Sequence, residues 1–165
     1  MPRKFSVLFI CTGNSIRSIF AETLLRNEAG DRFEVFSAGT SPQSDLNPIA
    51  VDLLQAKGYD ISGLRAKNID EFRGANAPDF DFVLTVCDGA ANEECPSWSG
   101  QPVSGHWGQP DPAKATGTEA EKHLAFQQVF GALQNRIRAF AALPFETLDR
   151  ASLQNRIDDI AKTKD

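Results

Sequence analysis

A parallel α/β sheet in a single domain is the fold the sequence predicts, and three observations predict it. Short apolar runs alternate with helical patterns along the chain, which builds βαβ units rather than hairpins. The earliest run, Phe5 to Ile10, is apolar nearly throughout, as expected of a parallel strand covered on both faces. A length of 165 residues with 41% apolar and 24% charged side chains fits one soluble globular domain with a sizeable core.

After strand one, Ile16, Phe20 and Leu24 recur every four residues with Gly30 as a stop signal, so a helix returns the chain to the start of the sheet. Phe33 to Ala38 is a second strand, closed by Gly39. Asn47 and Pro48 supply an N-cap and a first helical residue, opening a helix through Ile49, Leu53 and Leu54 to Gly58. Phe80 to Val86 is a third strand, bracketed by Asp79 and Asp81 on one side and Cys87-Asp88-Gly89 on the other. From Cys87 to Thr118 the composition shifts to Gly, Pro, Ser, Asn and Trp, and only Val103 to Trp107 offers a fourth strand. A loop region this long inside a compact domain is usually functional. Phe126, Val129, Phe130, Leu133, Ile137 and Phe140 then form a stripe that packs a long helix back on the sheet, and Pro144 ends it. From Asp149 onward, Leu153, Ile157 and Ile160 share one face of a surface helix before a charged tail.

Ligands of such parallel sheets sit beyond the carboxyl ends of the strands. Cys11 follows strand one and Cys87 follows strand three, so both thiols are expected at the same edge.

Charge and cysteine usage exclude several classes. Seventeen basic against twenty-two acidic residues give a net charge of −5 with no basic run, which argues against a nucleic-acid partner. The short apolar run after Pro2-Arg3-Lys4 is too brief for a signal-peptide core or a bilayer span, so a cytoplasmic protein with no membrane partner is expected. Three cysteines, Cys11, Cys87 and Cys95, are an odd count in a chain that needs no staple, and read as catalytic rather than structural. Two scattered histidines, His106 and His123, suit packing or surface roles, and no metal site is expected.

The run Cys11-Thr12-Gly13-Asn14-Ser15-Ile16-Arg17-Ser18 lies between the first strand and the first helix. Backbone N–H groups of such a loop, added to the positive end of a helix dipole, cradle a tetrahedral oxyanion, and Arg17 can clamp it with its planar fork. The same field favours the thiolate, so Cys11 reads as a nucleophile toward phosphorus or arsenic. An Asp-Pro pair ordinarily opens a turn. Opposite an anion loop, Asp111 in Gln109-Pro110-Asp111-Pro112-Ala113 can also protonate a leaving oxygen.

The spacing C-x5-R-S resembles the low-molecular-weight protein tyrosine phosphatase superfamily, and C-T-G-N-S-x-R-S looks most like its arsenate reductase branch. Ser37-Ala38-Gly39, the V-C-D…C-P loop holding Cys87 and Cys95, and H-W-G-x-P-D-P-A from His106 to Ala113 extend the likeness from Phe5 to about Ala142. The resemblance implies a four-stranded parallel sheet flanked by helices, a phosphatase-like domain over residues 1–142 and a helical extension of it over 143–165. It implies thioredoxin-coupled reduction of arsenate to arsenite, with phosphate or sulfate as analogues in the loop from Thr12 to Ser18 and no cofactor. By it Cys11 is the nucleophile, Cys87 the second thiol, Cys95 the third, Arg17 the anion clamp and Asp111 the acid. The phosphatase branch usually carries aromatic residues after its Asp-Pro, whereas this chain has Ala113-Lys114-Ala115. Hydrolysis of phosphoesters by Cys11, Arg17 and Asp111 alone is the competing reading, and a non-enzymatic oxyanion sensor a third. Glutathione, glutaredoxin or mycothiol are alternatives to thioredoxin as the donor. Ile16 replaces a loop cysteine found in many relatives. Potassium-binding relatives hold the ion with a carboxylate beside Asn14, Glu22 and Ser37, and Lys67 falls at that carboxylate's position. Its ammonium is expected to bridge the three in place of the ion.

Overall fold

The structure is a computed structural model that describes residues 4–42, 45–72, 79–87 and 102–162. Strands β1 (Phe5–Cys11), β2 (Phe33–Gly39), β3 (Phe82–Cys87) and β4 (Val103–Gln109) form one sheet in the order β2-β1-β3-β4, every pair parallel. Helices α1 (Arg17–Ala29), α2 (Pro48–Ala56), α3 (Glu119–Ala141) and α4 (Arg150–Ala161) flank it. The strand order reverses direction between β1 and β3, which opens a crevice at their carboxyl ends. Cys11 closes β1 there, and Cys87 closes β3 beside it.

The ends of β1, β2 and β3 run one residue past the sequence reading, and two further boundaries differ by two residues. The third strand starts at Phe82 rather than Phe80, because the Asp81 carboxylate accepts the Ser6 amide at 2.8 Å and leaves the ladder pattern to begin after it. Phe80 instead packs its ring against Phe36 and Phe72, at 5.6 and 5.9 Å. The fourth strand continues past Trp107 to Gln109, with Thr85 opposite His106 but Cys87 opposite Gln109. One extra residue on β4 between those pairs makes a bulge, which bends the strand end and re-aims Gln109 and the turn after it.

Helix α1 departs from a simple amphipathic stripe. Ser18 through Leu25 are all buried, because α1 lies on β1 and β2 and is covered in turn by α3, with Phe20 edge-on to Phe130 at 5.3 Å. Asn47 caps α2 as expected, its Oδ1 accepting from Ile49 and Ala50. Thr118 and Glu121 form a reciprocal capping box at the start of α3, a T-x-x-E signature present in the sequence ahead of the apolar stripe.

Phe5 on β1, Phe33 on β2 and Phe82 on β3 pack with Phe140 and Phe145, the Phe82–Phe140 rings lying 5.1 Å apart. Trp107, fully buried on β4, continues this layer against Phe9 and Phe140 and donates from Nε1 to the Ile157 carbonyl of α4 at 3.2 Å. Leu153, Ile157 and Ile160 are buried, so α4 covers β4 with the face the sequence marks as apolar. His106 and His123 are exposed, and the His106 ring nitrogen Nδ1 lies 2.6 Å from the Thr85 hydroxyl.

At Gly105 α4 comes close to the sheet: a β-carbon there would sit 2.5 Å from Ile157 Cγ2 and 3.2 Å from Leu84 Cδ2. Gly105→Ala is therefore expected to lower stability by about 1–3 kcal/mol, the usual cost of overpacking. Adding Ile157→Leu, which lacks the Cγ2 methyl, should recover part of it, as read from urea midpoints at constant m-value. Equal stability of Gly105→Ala and the unmodified chain would show that α4 does not press on β4.

Candidate active site

The loop from Cys11 to Arg17 lines a cavity of about 380 Å³ together with Asp45, Leu46, Asn47 and Pro48 and with Asp111 and Ala113. Its carbonyls are tied outward. Cys11 O accepts from Thr40 N at 3.2 Å, Thr12 O from Ser41 N at 2.9 Å and Ser15 O from Asn47 N at 3.2 Å. Ile16 precedes the first turn of α1, and its side chain cannot cap it. The N–H groups of that turn thus lack a side-chain acceptor at the position that ordinarily supplies one, and the dipole adds a positive end. An oxyanion is what this arrangement accepts.

Asn14 holds the loop's shape from beneath. It is the one non-glycine residue with positive φ among the described residues, at φ 47, and it is fully buried. Its Nδ2 donates to Ser18 Oγ at 2.7 Å and to Ser37 Oγ at 3.0 Å, while Oδ1 accepts the Lys67 backbone N–H at 2.7 Å. Ser37 directs its own proton to Glu22 in a short hydrogen bond. Gly39 is tied to the same corner, since a β-carbon on it would meet Thr12 O at 2.5 Å and Asn14 Cβ at 3.0 Å. That contact is the physical content of the Ser37-Ala38-Gly39 motif.

Lys67 places its ammonium 3.7 Å from Glu22 Oε1, 3.4 Å from Ser37 Oγ and 2.7 Å from the Arg65 carbonyl. The expected bridge to Asn14 is made by the Lys67 backbone amide and not by the ammonium. Nδ2 of Asn14 is itself a donor, and Oδ1 is already taken. Burial pushes the Lys67 ammonium below the usual lysine range, and the Glu22 charge opposes that shift. Arg26 also pairs with Glu22, at 2.7 Å. The Lys67 ammonium thus stands against the Glu22 and Ser37 oxygens.

Arg17 sits over the cavity with its Nη1 donating to Gln109 O at 3.0 Å and its Nη2 3.8 Å from Asp111 Oδ2. Nε is buried and has no partner among the described residues, so a bound oxyanion would complete its fork. The β4 bulge lies directly before Gln109. Asp111 caps the short 3-10 turn Pro112–Lys114 through Oδ1 to Ala113 N at 2.9 Å, leaving Oδ2 toward Arg17.

Of the predicted site residues, Cys11, Thr12, Gly13, Asn14, Ser15, Ile16, Arg17 and Asp111 line the one cavity. Ser18 does not line it; its hydroxyl is buried beneath the loop as an acceptor for Asn14. Cys87 ends β3 at the crevice, with only its backbone described. Cys95 lies outside the described residues. Sequence reasoning misses Asp45, Leu46 and Gln109. Asn47 is legible as a helix cap but not as a wall of the cavity, since the Asn47-Pro48 signal points only to a helix start.

The family described as low molecular weight phosphotyrosine protein phosphatase matches residues 6–154. The chain belongs to that family. An arsenate reductase of Bacillus licheniformis is 42% identical over 138 residues, 84% of this chain and 96% of that protein. A solved arsenate reductase in the phosphate-binding state is 28% identical with a TM-score of 0.67, covering 81% of this chain and 94% of that one. The thioredoxin-dependent arsenate reductase of Corynebacterium glutamicum is 27% identical with a TM-score of 0.60; the match takes in 82% of this chain and 59% of that longer one.

Since the Lys67 ammonium stands against Glu22 and Ser37, exchanging sodium for potassium at constant ionic strength is expected to leave the thermal midpoint unchanged. Lys67→Asp should make it rise with potassium. A potassium-induced increase in the unmodified protein would contradict the placement of the Lys67 ammonium.

Proposed function

We propose that the protein is an arsenate reductase working by thiolate attack and an intramolecular disulfide relay, with the whole chain, residues 143–165 included, acting as one domain. The observation that supports the reading is the adjacency of β1, which ends on Cys11 in the cavity, and β3, which ends on Cys87 at the same edge of the sheet. Hydrolysis needs one thiol there; reduction needs a second within reach.

The Cys11 thiolate attacks arsenic while the loop N–H groups and Arg17 hold the oxygens, and Asp111 protonates the departing oxygen, which leaves as water. Cys87 attacks Cys11 Sγ, forming a disulfide; the As–S bond breaks and its electron pair reduces As(V) to As(III), released as arsenite. Cys95 then attacks Cys87, freeing Cys11 as a thiolate and leaving a Cys87–Cys95 disulfide for an external dithiol to reduce. Thioredoxin is the donor in this reading, supported by the three-thiol relay and by the thioredoxin dependence of the corynebacterial relative. A reducing cytoplasm is the matching compartment. No helix among the described residues is long and apolar enough to cross a membrane.

Cys11→Ser is expected to abolish arsenate reduction and any aryl phosphate hydrolysis together. Arg17→Lys keeps the charge but loses the fork, and should cost about a hundredfold or more in kcat/KM for both. Either variant retaining full activity would move the anion elsewhere.

Cys87→Ser should lose arsenate turnover while keeping aryl phosphate hydrolysis. In Cys95→Ser, rapid-quench measurement should find about one arsenite released per protein and a trapped Cys11–Cys87 disulfide, because the exchange that frees Cys11 lacks its attacking thiol. Sustained turnover of Cys95→Ser with thioredoxin as sole donor would overturn the role of Cys95.

A further inference from the structure

The cavity wall formed by Asp45, Leu46, Asn47 and Pro48 contains a side chain that the relay does not use. Asn47 makes two kinds of contact with two different atoms. Its backbone N–H donates to Ser15 O at 3.2 Å, holding that loop carbonyl away from the anion. Its side-chain Oδ1 accepts from Ile49 N at 2.9 Å and Ala50 N at 3.2 Å, capping α2. Those two N–H donors determine which end of the amide is oxygen, because only the carbonyl end can accept them. The other end is therefore Nδ2, a donor with no partner among the described residues, on a residue that lines the same cavity as Cys11 and Arg17. The half-buried cap locks the amide's orientation, so presenting this donor costs no further ordering.

Electrostatics make the choice of residue informative. Two carboxylates, Asp45 and Asp111, already line the cavity. Aspartate caps a helix as well as asparagine does. At this position it would replace a neutral donor with a third negative charge facing an oxyanion.

We infer that Asn47 is a substrate-binding residue of this site, its Nδ2 donating a hydrogen bond to the oxyanion held by the loop. The inference rests on the cradle being the arsenate site. It adds a specificity determinant from a segment outside the Cys11–Ser18 motif.

The test uses the reduced full-length protein and inorganic phosphate as the probe, measuring protection of Cys11 from alkylation by iodoacetamide, a neutral reagent, with Cys11 followed by mass spectrometry. Asn47→Asp and Asn47→Ser both keep a capping side chain, so thermal midpoints serve as the check on folding. Asn47→Asp should weaken phosphate protection by about tenfold or more, as expected for losing a charge-assisted hydrogen bond and gaining a repulsion. Asn47→Ser, which loses the amide's reach without adding charge, should weaken it by a smaller factor, about threefold. KM for arsenate should rise in the same order. The added charge of Asn47→Asp weakens anion binding whether or not Nδ2 donates, so Asn47→Ser decides: a residue that only caps α2 would leave protection in Asn47→Ser equal to that of the unmodified protein, and that result would overturn the inference. Unchanged protection in a folded Asn47→Asp would overturn it as well. Failure of the cradle reading looks different: phosphate would then not protect Cys11 in the unmodified protein, and Arg17→Lys would make no difference.

Discussion

The anion cradle depends on a left-handed backbone at Asn14. For a residue with a side chain that conformation costs about 1–2 kcal/mol, and it persists only where its surroundings over-determine it. Here a buried amide commits every polar atom to doing so: two donor contacts to Ser18 and Ser37, one acceptor contact to the Lys67 amide. The turn in the chain lets successive N–H groups converge on one point, while the carbonyls between them are drawn outward by Thr40, Ser41 and Asn47. Loop, β2 end and the segment at Lys67 thus form one unit, and the Glu22, Arg26 and Lys67 charges are the electrostatic base on which it stands.

The clamp over the cradle is set from the other side of the sheet. An extra residue in β4 before Gln109 bends the strand end, and Gln109 O then holds the Arg17 guanidinium. Asp111, two residues on, is locked by its own turn with one carboxylate oxygen toward Arg17. Arg17 and Asp111, the clamp and the acid of the proposed reaction, are therefore positioned by a backbone irregularity and a turn. Neither rests on a flexible side chain alone.

Stability and site share their supports. Trp107 lies within the bulged end of β4, and its indole is fixed by Phe9, Phe140 and the Ile157 carbonyl. Helix α4 in this way braces the strand that carries Gln109. The close approach at Gly105 shows how little room separates them. Helix α3 does the same for α1 through Phe20 and Phe130, keeping the helix whose N-terminus faces the anion fixed against the sheet.

The alternation of apolar runs with helical stripes is enough to define the parallel sheet, since burial on two faces leaves a continuous apolar signature. The loop from Cys11 to Ser18 is legible because a strand, a nucleophile, a small turn and an arginine succeed one another in a single local segment. Cys87 is legible as a residue at a strand end, where parallel sheets bind ligands, and Asp111 through its Asp-Pro pair beside an anion loop. The exact strand ends are less so: Asp81 and the β4 bulge shift them through hydrogen bonds to distant strands, which leave no periodicity. The split of labour at Lys67, where the amide meets Asn14 and the ammonium meets Glu22, also lies beyond reading, as does the wall formed by Asp45, Leu46 and Asn47. Elements and reactive loop are thus written in the amino-acid order alone, because they arise from contacts within a few residues. Which oxygens and nitrogens face the cavity is settled only in the folded chain, because that depends on hydrogen bonds between segments tens of residues apart.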